Sequence, residues 1–156
     1  MRPDPIIQST WIRLVFAPRA ALPDHLARHR LADLFLDTFH YNAHTTASDA
    51  LWGGLPVVTC PGPSFASRVA ASLLSAAGLP DLITTSPDEY ETLARALAHD
   101  PDRLATLKAR LQRNRDTCAL FDIARYTRHL EGAYTTIWER AQRGEPAVGF
   151  QVAPLA

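Results

Sequence analysis

Short apolar runs alternate with amphipathic segments along the first half of the chain. The apolar runs have the length and composition of buried strands, and they cover residues 11–16, 34–37, 55–60 and 82–84. The segments between them place leucine and alanine at helical spacing, which predicts helices over residues 23–31, 45–52 and 65–77. This alternation favours an α/β domain with a parallel sheet, right-handed crossovers and helices on both faces.

Capping residues mark the ends of these helices. Gly53 and Gly54 end the helix over 45–52, while Ser64 and Gly78 bound the helix over 65–77. Parallel sheets bind ligands at the carboxyl ends of their strands. The loops over residues 17–24, 37–46 and 59–65 are therefore the predicted location of any binding chemistry.

Beyond Thr85 the pattern predicts helices alone. A capping box of Ser86 and Glu89, with Pro87 at the first helical position, opens the first of them. The three predicted helices span residues 87–98, 101–114 and 123–141. The last has an apolar stripe made of Leu130, Tyr134, Ile137 and Trp138. Residues 144–156 show no clear period.

Composition narrows the functional classes. The chain has 156 residues, 47% of them hydrophobic, which suits one soluble domain with one core. Lys and Arg number 16, as do Asp and Glu, so no global charge favours nucleic acid or an anionic membrane. No apolar run reaches 18 residues and the first residues do not resemble a signal peptide, which predicts a cytoplasmic protein.

The segment over residues 42–49 holds the most specific chemistry. Thr45 and Thr46 stand at a predicted helix start, where free amides and two hydroxyls form an anion site suited to phosphate. Asp49 follows one turn later and is placed to accept from sugar hydroxyls, so a nucleotide-sugar diphosphate satisfies both features. The alternative is structural: Thr45 only caps the helix, and Asp49 pairs with an arginine such as Arg68.

Other conspicuous residues have mainly structural interpretations. His40 and His44 have the spacing of helical zinc ligands, but the glutamate of a metalloprotease helix is missing, and no metal site is predicted. Arg68 is expected to pair with an aspartate such as Asp37, with a phosphate as the alternative. Trp52 is expected to be a packing residue.

An ordered set of motifs resembles one known family. The stretch over residues 31–74 contains His-Thr-Thr followed by Asp, then Leu-Trp-x-Gly-x-Pro and Ala-Ser-Arg-Val-Ala. It resembles the carboxyl-terminal catalytic lobe of the O-GlcNAc transferases, which are inverting enzymes that move N-acetylglucosamine from UDP-GlcNAc to protein Ser and Thr. The SPINDLY-type fucosyltransferases, which use GDP-fucose, are close relatives. The likeness covers residues 13–138, and MRPDPIIQSTW at the start matches nothing in it.

This resemblance implies a donor site. His44, Thr45 and Thr46 would contact the diphosphate, and Asp49 would hold the ribose hydroxyls. The His-Thr-Thr motif favours UDP over GDP. No catalytic residue and no cofactor is implied among these positions.

The same resemblance implies contacts to the nucleoside. Ala17 would contact uracil through its backbone, with Arg19 beside it where animal enzymes have lysine. His25 would stack near the uridine, although a plain surface histidine is the alternative there. The implied fold is a Rossmann-like three-layer lobe, equivalent to the carboxyl-terminal lobe of a GT-B glycosyltransferase, followed by helices.

The expected organisation is an unplaced segment over residues 1–11, a nucleotide-sugar-binding lobe over 12–142 and a tail over 143–156. Family members place tetratricopeptide repeats and a first lobe upstream, and these select the protein acceptor. The expectation is therefore a donor-binding lobe without those parts, inactive alone. The alternative is a noncatalytic remnant or interaction domain that needs a partner lobe and binds nucleotide weakly or not at all.

Overall fold

The computed structural model describes residues 15–153. Its helices are α1 (Leu22–Arg28), α2 (Thr45–Trp52), α3 (Val69–Ala76), α4 (Pro87–Ala98), α5 (Pro101–Asn114) and α6 (Ile123–Gln142). Its strands are β1 (Phe35–Leu36) and β2 (Val57–Val58), and 3₁₀ turns cover His29–Leu31 and Pro80–Leu82. The predicted alternation of strands and helices, followed by helices alone, is confirmed over this range.

The sheet is parallel, as predicted. Phe35 pairs with Val57 and Leu36 with Val58. On the other side of β2, Thr59 forms an isolated parallel bridge with Ile83. The chain therefore passes from β1 through α2 to β2, and from β2 through α3 to Ile83, and the carboxyl ends of all three lie at one edge.

Two element predictions need correction. The predicted strand over 82–84 is reduced to one bridge, because Pro80 begins a 3₁₀ turn that extends through Leu82. The predicted helix over 65–77 begins only at Val69. Ser64 caps a tight turn instead of the helix, since its hydroxyl accepts from the amide of Ser67 at 3.2 Å. The predicted strand over 11–16 lies largely outside the described residues, and Val15 and Phe16 are not in a strand.

One core joins the sheet to the helices that follow it. Its fully buried side chains come from α2, β2, α3, the second 3₁₀ turn, α4 and α5, and include Leu51, Val57, Val58, Leu74, Leu79, Leu82, Leu97 and Leu111. Each buried leucine contributes about 1.5–3 kcal/mol relative to exposure. This core fixes α2 against the sheet and so sets the position of its first turn.

Helix α6 differs from the others because none of its side chains is buried. The predicted apolar stripe is present but open: Tyr134, Ile137 and Trp138 are exposed. The tail returns toward this helix, with Glu145 accepting from Arg140 at 3.1 Å. Within residues 15–153, no helix combines the length and the apolar character needed to cross a bilayer.

Candidate functional site

The first turn of α2 forms an open helix start at the carboxyl edge of the sheet. No side chain of residues 15–153 caps it, so within that range the amides of Thr45, Thr46 and Ala47 have neither intrahelical partners nor a cap. Thr45 and Thr46 are exposed, while Ala47 is buried and anchors the turn. Exposed amides, two hydroxyls and the positive end of the helix dipole make this tip suited to an anion.

A buried carboxylate shapes the loop that leads to this tip. Asp37 follows β1 and is only 4% exposed. Its Oδ1 accepts from the amides of Thr38 at 2.9 Å and Ala43 at 2.7 Å, and its Oδ2 accepts from the Thr59 hydroxyl at 2.6 Å. The hydroxyl of Tyr90 on α4 donates to the Asp37 carbonyl at 2.8 Å. These bonds tie the loop to β2 and α4, and they fix where α2 begins.

His44 lies directly before the first turn of α2. Its ring stacks on Tyr41 with centroids 4.9 Å apart and planes 19° apart. Its Nε2 lies 3.3 Å from the carbonyl oxygen of Ala66. Phe65 approaches the same ring edge-on, at 6.1 Å between centroids. These contacts fix the His44 ring at the residue that immediately precedes α2.

A second group of residues faces α2 one turn deeper. Nε2 of His25 on α1 lies 3.9 Å from Oδ2 of Asp49, and each side chain is 26% exposed. Nη2 of Arg28 donates to Nδ1 of His25 at 2.6 Å. Because a guanidinium only donates, Nδ1 is the acceptor and the ring proton lies on Nε2, facing Asp49. A ligand hydroxyl between the two groups would meet a donor and an acceptor.

The segment before α1 lies against the same helix. Nη1 of Arg28 donates to the carbonyl of Pro18 at 2.9 Å, which ties the segment that contains Ala17 and Arg19 to the last residue of α1. Both residues are exposed. Within the described range, no hydrogen bond or ion pair joins Ala17 or Arg19 to α2. Five of the seven predicted site residues are thus assembled around α2, and these two lie in the adjoining segment.

A cavity of about 600 Å³ opens at the carboxyl ends of the strands. Its walls come from the three loops that follow β1, β2 and Ile83, and they include His40, Cys60, Ser64 and Thr85. The Cys60 side chain is half-buried. In residues 15–153, no cluster of three His, Cys, Asp or Glu side chains is arranged to hold a metal ion.

The expected arginine–aspartate pairs do not form. Arg68 is exposed, and no ion pair between Arg68 and Asp37 or Asp49 exists in the part of the chain that is described. Asp37 is satisfied by amides and the Thr59 hydroxyl, and Asp49 faces His25. The structural alternative for Asp49, a salt bridge to Arg68, is therefore wrong.

Two contributors were missed by pattern analysis. Arg28 stands one turn after His25 on α1, and the i, i+3 spacing was the available signal for their contact. Tyr41 stacks on His44 across a loop, for which the sequence offers no periodic signal. Asp37 was assigned a structural role only, yet it fixes the loop that positions the α2 tip.

The sequence of this chain is similar to those of known proteins. Residues 7–130 match the model of glycosyl transferase family 41. The chain is 42% identical over 134 residues to a UDP-N-acetylglucosamine–peptide N-acetylglucosaminyltransferase of Caenorhabditis elegans, covering 86% of this chain and 12% of that protein. A probable enzyme of the same name from Arabidopsis thaliana, SEC, is 39% identical over 141 residues, covering 90% of this chain and 14% of that protein.

A solved structure agrees in fold. A mutant O-GlcNAc transferase of Thermobaculum terrenum superposes with a TM-score of 0.76 at 34% identity, covering 90% of this chain and 29% of that one. The chain thus spans a small part of the length of the relatives that it matches. The predicted equivalence to one lobe of a two-lobed glycosyltransferase is confirmed at the level of fold. The chain belongs to glycosyl transferase family 41.

Proposed function

We propose that this chain is the donor-binding lobe of a protein O-GlcNAc transferase-like enzyme and binds a UDP-sugar, with UDP-GlcNAc as the first candidate. The observation that supports it most is the uncapped start of α2, with Thr45 and Thr46 exposed one turn before an Asp49 that faces His25. A phosphate site and a hydroxyl acceptor one helical turn apart match the spacing of a diphosphate and a ribose.

Each residue has a distinct role in this proposal. The amides and hydroxyls of Thr45 and Thr46, with His44 beside them, hold the diphosphate. Asp49 accepts from the ribose hydroxyls, and His25 lies against the nucleoside. Ala17 and Arg19, in the segment held by Arg28, approach the base.

The same tip would stabilise the leaving group during transfer. In an inverting transfer the acceptor hydroxyl attacks the anomeric carbon as the bond to the diphosphate breaks, and negative charge grows on the diphosphate oxygens. Donors fixed at a helix start stabilise that charge without reorganising. The remaining requirements, a positioned acceptor and a route for its proton, are assigned in this proposal to the first lobe and repeats that family members have. The chain alone is therefore proposed to be inactive, and its protein acceptor to be selected elsewhere.

Titration calorimetry with UDP tests donor binding. Thr46→Ala and Asp49→Ala are each expected to weaken binding by more than about 1 kcal/mol, roughly fivefold, because each removes a hydrogen bond to a charged or buried group. Thr92→Ala and Asp102→Ala are the matched controls, since both residues are exposed on other helices. Absence of heat at millimolar UDP, or equal losses in the controls, would refute the proposal.

Two further measurements address its finer parts. UDP is expected to bind more tightly than GDP, as the His-Thr-Thr motif indicates. Mixing the chain with UDP-GlcNAc and an acceptor peptide is expected to yield no product, and product would show that a partner lobe is dispensable. We also propose a cytoplasmic location, which fractionation of cells making the full protein would test.

A second function, a noncatalytic interaction domain, is favoured by one observation. The exposed stripe on α6 leaves Tyr134, Ile137 and Trp138 uncovered in the described part of the chain. Large exposed apolar surfaces commonly mark interaction sites. UDP binding separates the two functions, because an interaction domain requires no nucleotide and would be unaffected by Asp49→Ala.

A further inference from the structure

A second cavity lies at the opposite end of α2 from the proposed donor site. It measures about 460 Å³ and is bounded by the turn after α1, the end of α2 and one face of α5. Leu51, the first residue of α2 to line it, lies about 9 Å along the helix from Thr45. Every ionisable residue that lines it is basic: His29, Arg30, Lys108 and Arg115. The whole chain has a formal net charge of zero, so this is a local concentration of positive charge.

One residue that lines the cavity, His29, also contacts the proposed donor site. At the point where α1 and α2 meet, a Cβ on Gly53 would lie 3.0 Å from Cβ of His29, so the two backbones are in close contact there. The rings of His29 and His25 pack edge to face with centroids 4.9 Å apart. The cavity therefore adjoins His25 through His29, but neither His25 nor Asp49 is among its lining residues.

One wall of the cavity is aromatic and accessible. Trp52 is 47% exposed although it ends a helix whose other apolar residues are buried. The Arg115 guanidinium lies 5.2 Å from its ring centroid, and Phe121 packs edge-on at 5.1 Å. The prediction that Trp52 is a packing residue accounts for the contact with Phe121 but leaves about half of the side chain uncovered.

The positive charges are only partly balanced. Nζ of Lys108 contacts Oδ1 of Asp33 at 2.8 Å, and Nε of Arg115 contacts Oδ1 of Asp116 at 3.5 Å. Both carboxylates lie outside the lining and face water, where solvent weakens such pairs. Arg30 is exposed and has no hydrogen bond or ion pair within residues 15–153. Three permanent cations therefore face the cavity and no carboxylate lines it.

We propose that this cavity binds an acidic peptide segment of a partner protein. The carboxylates of the segment would pair with Arg30, Lys108 and Arg115, and an adjacent aliphatic or aromatic side chain would cover Trp52. Tryptophan and arginine are the residues that most often dominate binding energy at interfaces. Complementary charge selects the partner and speeds association. The volume suits a short segment, since ligand sites span about 300–1,000 Å³.

Fluorescence anisotropy of a labelled hexapeptide tests this site. The probe alternates glutamate with leucine, and its control has glutamine at each glutamate. The glutamate peptide is expected to bind and to weaken steeply as salt rises. The glutamine peptide is expected to bind at least tenfold more weakly. Equal affinity of the two peptides, or no binding of either at millimolar chain, overturns the proposal.

Variants assign the binding to this cavity. Arg30→Gln is expected to weaken the glutamate peptide about threefold without affecting folding, because the side chain has no partner to lose within the described residues. Trp52→Leu is expected to weaken it at least fivefold, with circular dichroism to verify folding. Arg95→Gln on α4 is the matched control. Unchanged affinity in both Arg30→Gln and Trp52→Leu places the peptide elsewhere and refutes the assignment.

Two more measurements distinguish peptide binding at this cavity from binding of other kinds. Asp49→Ala should leave the peptide affinity unchanged, so the outcome does not depend on the proposed nucleotide site. Inorganic phosphate should displace the glutamate peptide no more strongly than sodium chloride does at the same ionic strength. Stronger competition by phosphate would reveal a site for a small anion and overturn the peptide proposal.

Discussion

The imidazole Nε2 of His25 lies 3.9 Å from Oδ2 of Asp49, and this pair joins α1 to α2 beside the open helix start. Arg28 makes the arrangement directional by donating to Nδ1 of the same ring. The His25 proton therefore faces Asp49, and the carboxylate can accept from a ligand on its other lone pairs. The orientation of one histidine thus depends on a residue that contacts no proposed ligand.

Arg28→Met should weaken UDP binding while leaving the fold intact. The substitution keeps the aliphatic stem but removes the donors to His25 and to the Pro18 carbonyl. We expect a loss of about 1 kcal/mol, the typical net contribution of one hydrogen bond. Calorimetry gives the affinity, and nitrogen chemical shifts of the His25 ring report which nitrogen is protonated.

Arg28→Lys is the informative control for that experiment. A lysine retains the charge but lacks the fork that reaches both acceptors at once. The positioning role is supported if Lys restores little affinity and the ring nitrogens exchange between tautomers. Full affinity in Arg28→Met, with unchanged ring shifts, would show that His25 is oriented by other contacts.

Asp37→Asn should destabilise the protein and weaken UDP binding together. The carboxylate is buried and accepts two hydrogen bonds from the loop and one from Thr59, directly after β2, and an amide nitrogen cannot accept the bonds made by the oxygen that it replaces. We expect the free energy of unfolding in urea to fall by about 2–3 kcal/mol, in the range for a broken buried network.

Thr59→Val separates the two effects of that change. It removes only the hydroxyl that donates to Oδ2 and leaves both amide contacts to the loop. The expected loss of stability is about 1–2 kcal/mol, with UDP affinity nearly preserved. If Thr59→Val weakens UDP binding as much as Asp37→Asn does, the bonds from the loop amides to Asp37 do not position the α2 tip.

Helix positions were predictable because local signals agree with the fold. The helix over 45–52 was predicted at its observed bounds, since an apolar inner face and Gly53–Gly54 define it without reference to the rest of the chain. The capping box was half right. The Ser86 hydroxyl accepts from the amide of Glu89, as predicted. The Glu89 carboxylate, however, accepts from the amide and hydroxyl of Thr85 and not from the amide of Ser86.

The site was predictable in its residue types but not in its contacts. A helix start with two threonines is a local feature, and Thr45, Thr46 and Asp49 were therefore identified from the pattern, whereas His44 was proposed from the family resemblance. The contact of His25 with Asp49 depends on how α1 packs on α2, and the contact of Asp37 with Thr59 depends on strand register. Neither contact leaves a periodic signal in the sequence. For that reason Arg68 was expected to pair with an aspartate, whereas the fold places Arg68 elsewhere.

Tyr90→Phe should flatten the dependence of stability on alkaline pH. Burial, with a smaller contribution from Asp37, raises the pKa of Tyr90 to about 12 from an ordinary value of 10.0. The unfolded chain therefore loses this proton first, so the stabilisation is present below pH 10 and is lost as pH rises toward 12. Urea unfolding of both proteins between pH 8 and pH 11 measures the difference.

At pH 8 the variant should be less stable by about 1 kcal/mol, because Tyr90 donates to the Asp37 carbonyl. This gap should narrow steadily above pH 10. Tyr134→Phe is the control, since Tyr134 is exposed on α6. A gap that stays constant to pH 11 would mean that Tyr90 ionises alike in the folded and unfolded chain.

Trp138→Ala should lower the free energy of unfolding by less than about 1 kcal/mol, although it truncates the largest kind of side chain. Trp138 is 67% exposed and no residue of α6 is buried, so truncation removes little packing. Leu111→Ala, on the fully buried face of α5, should cost about 2–5 kcal/mol by contrast.

Urea unfolding at two protein concentrations compares the stability losses of Trp138→Ala and Leu111→Ala. A loss at Trp138 that grows with concentration would show that the α6 face is covered in solution by another copy of the chain, and a concentration-independent loss that matches Leu111 would show that it is buried within one chain. A small, concentration-independent loss would instead leave this face free, as the interaction-domain alternative requires.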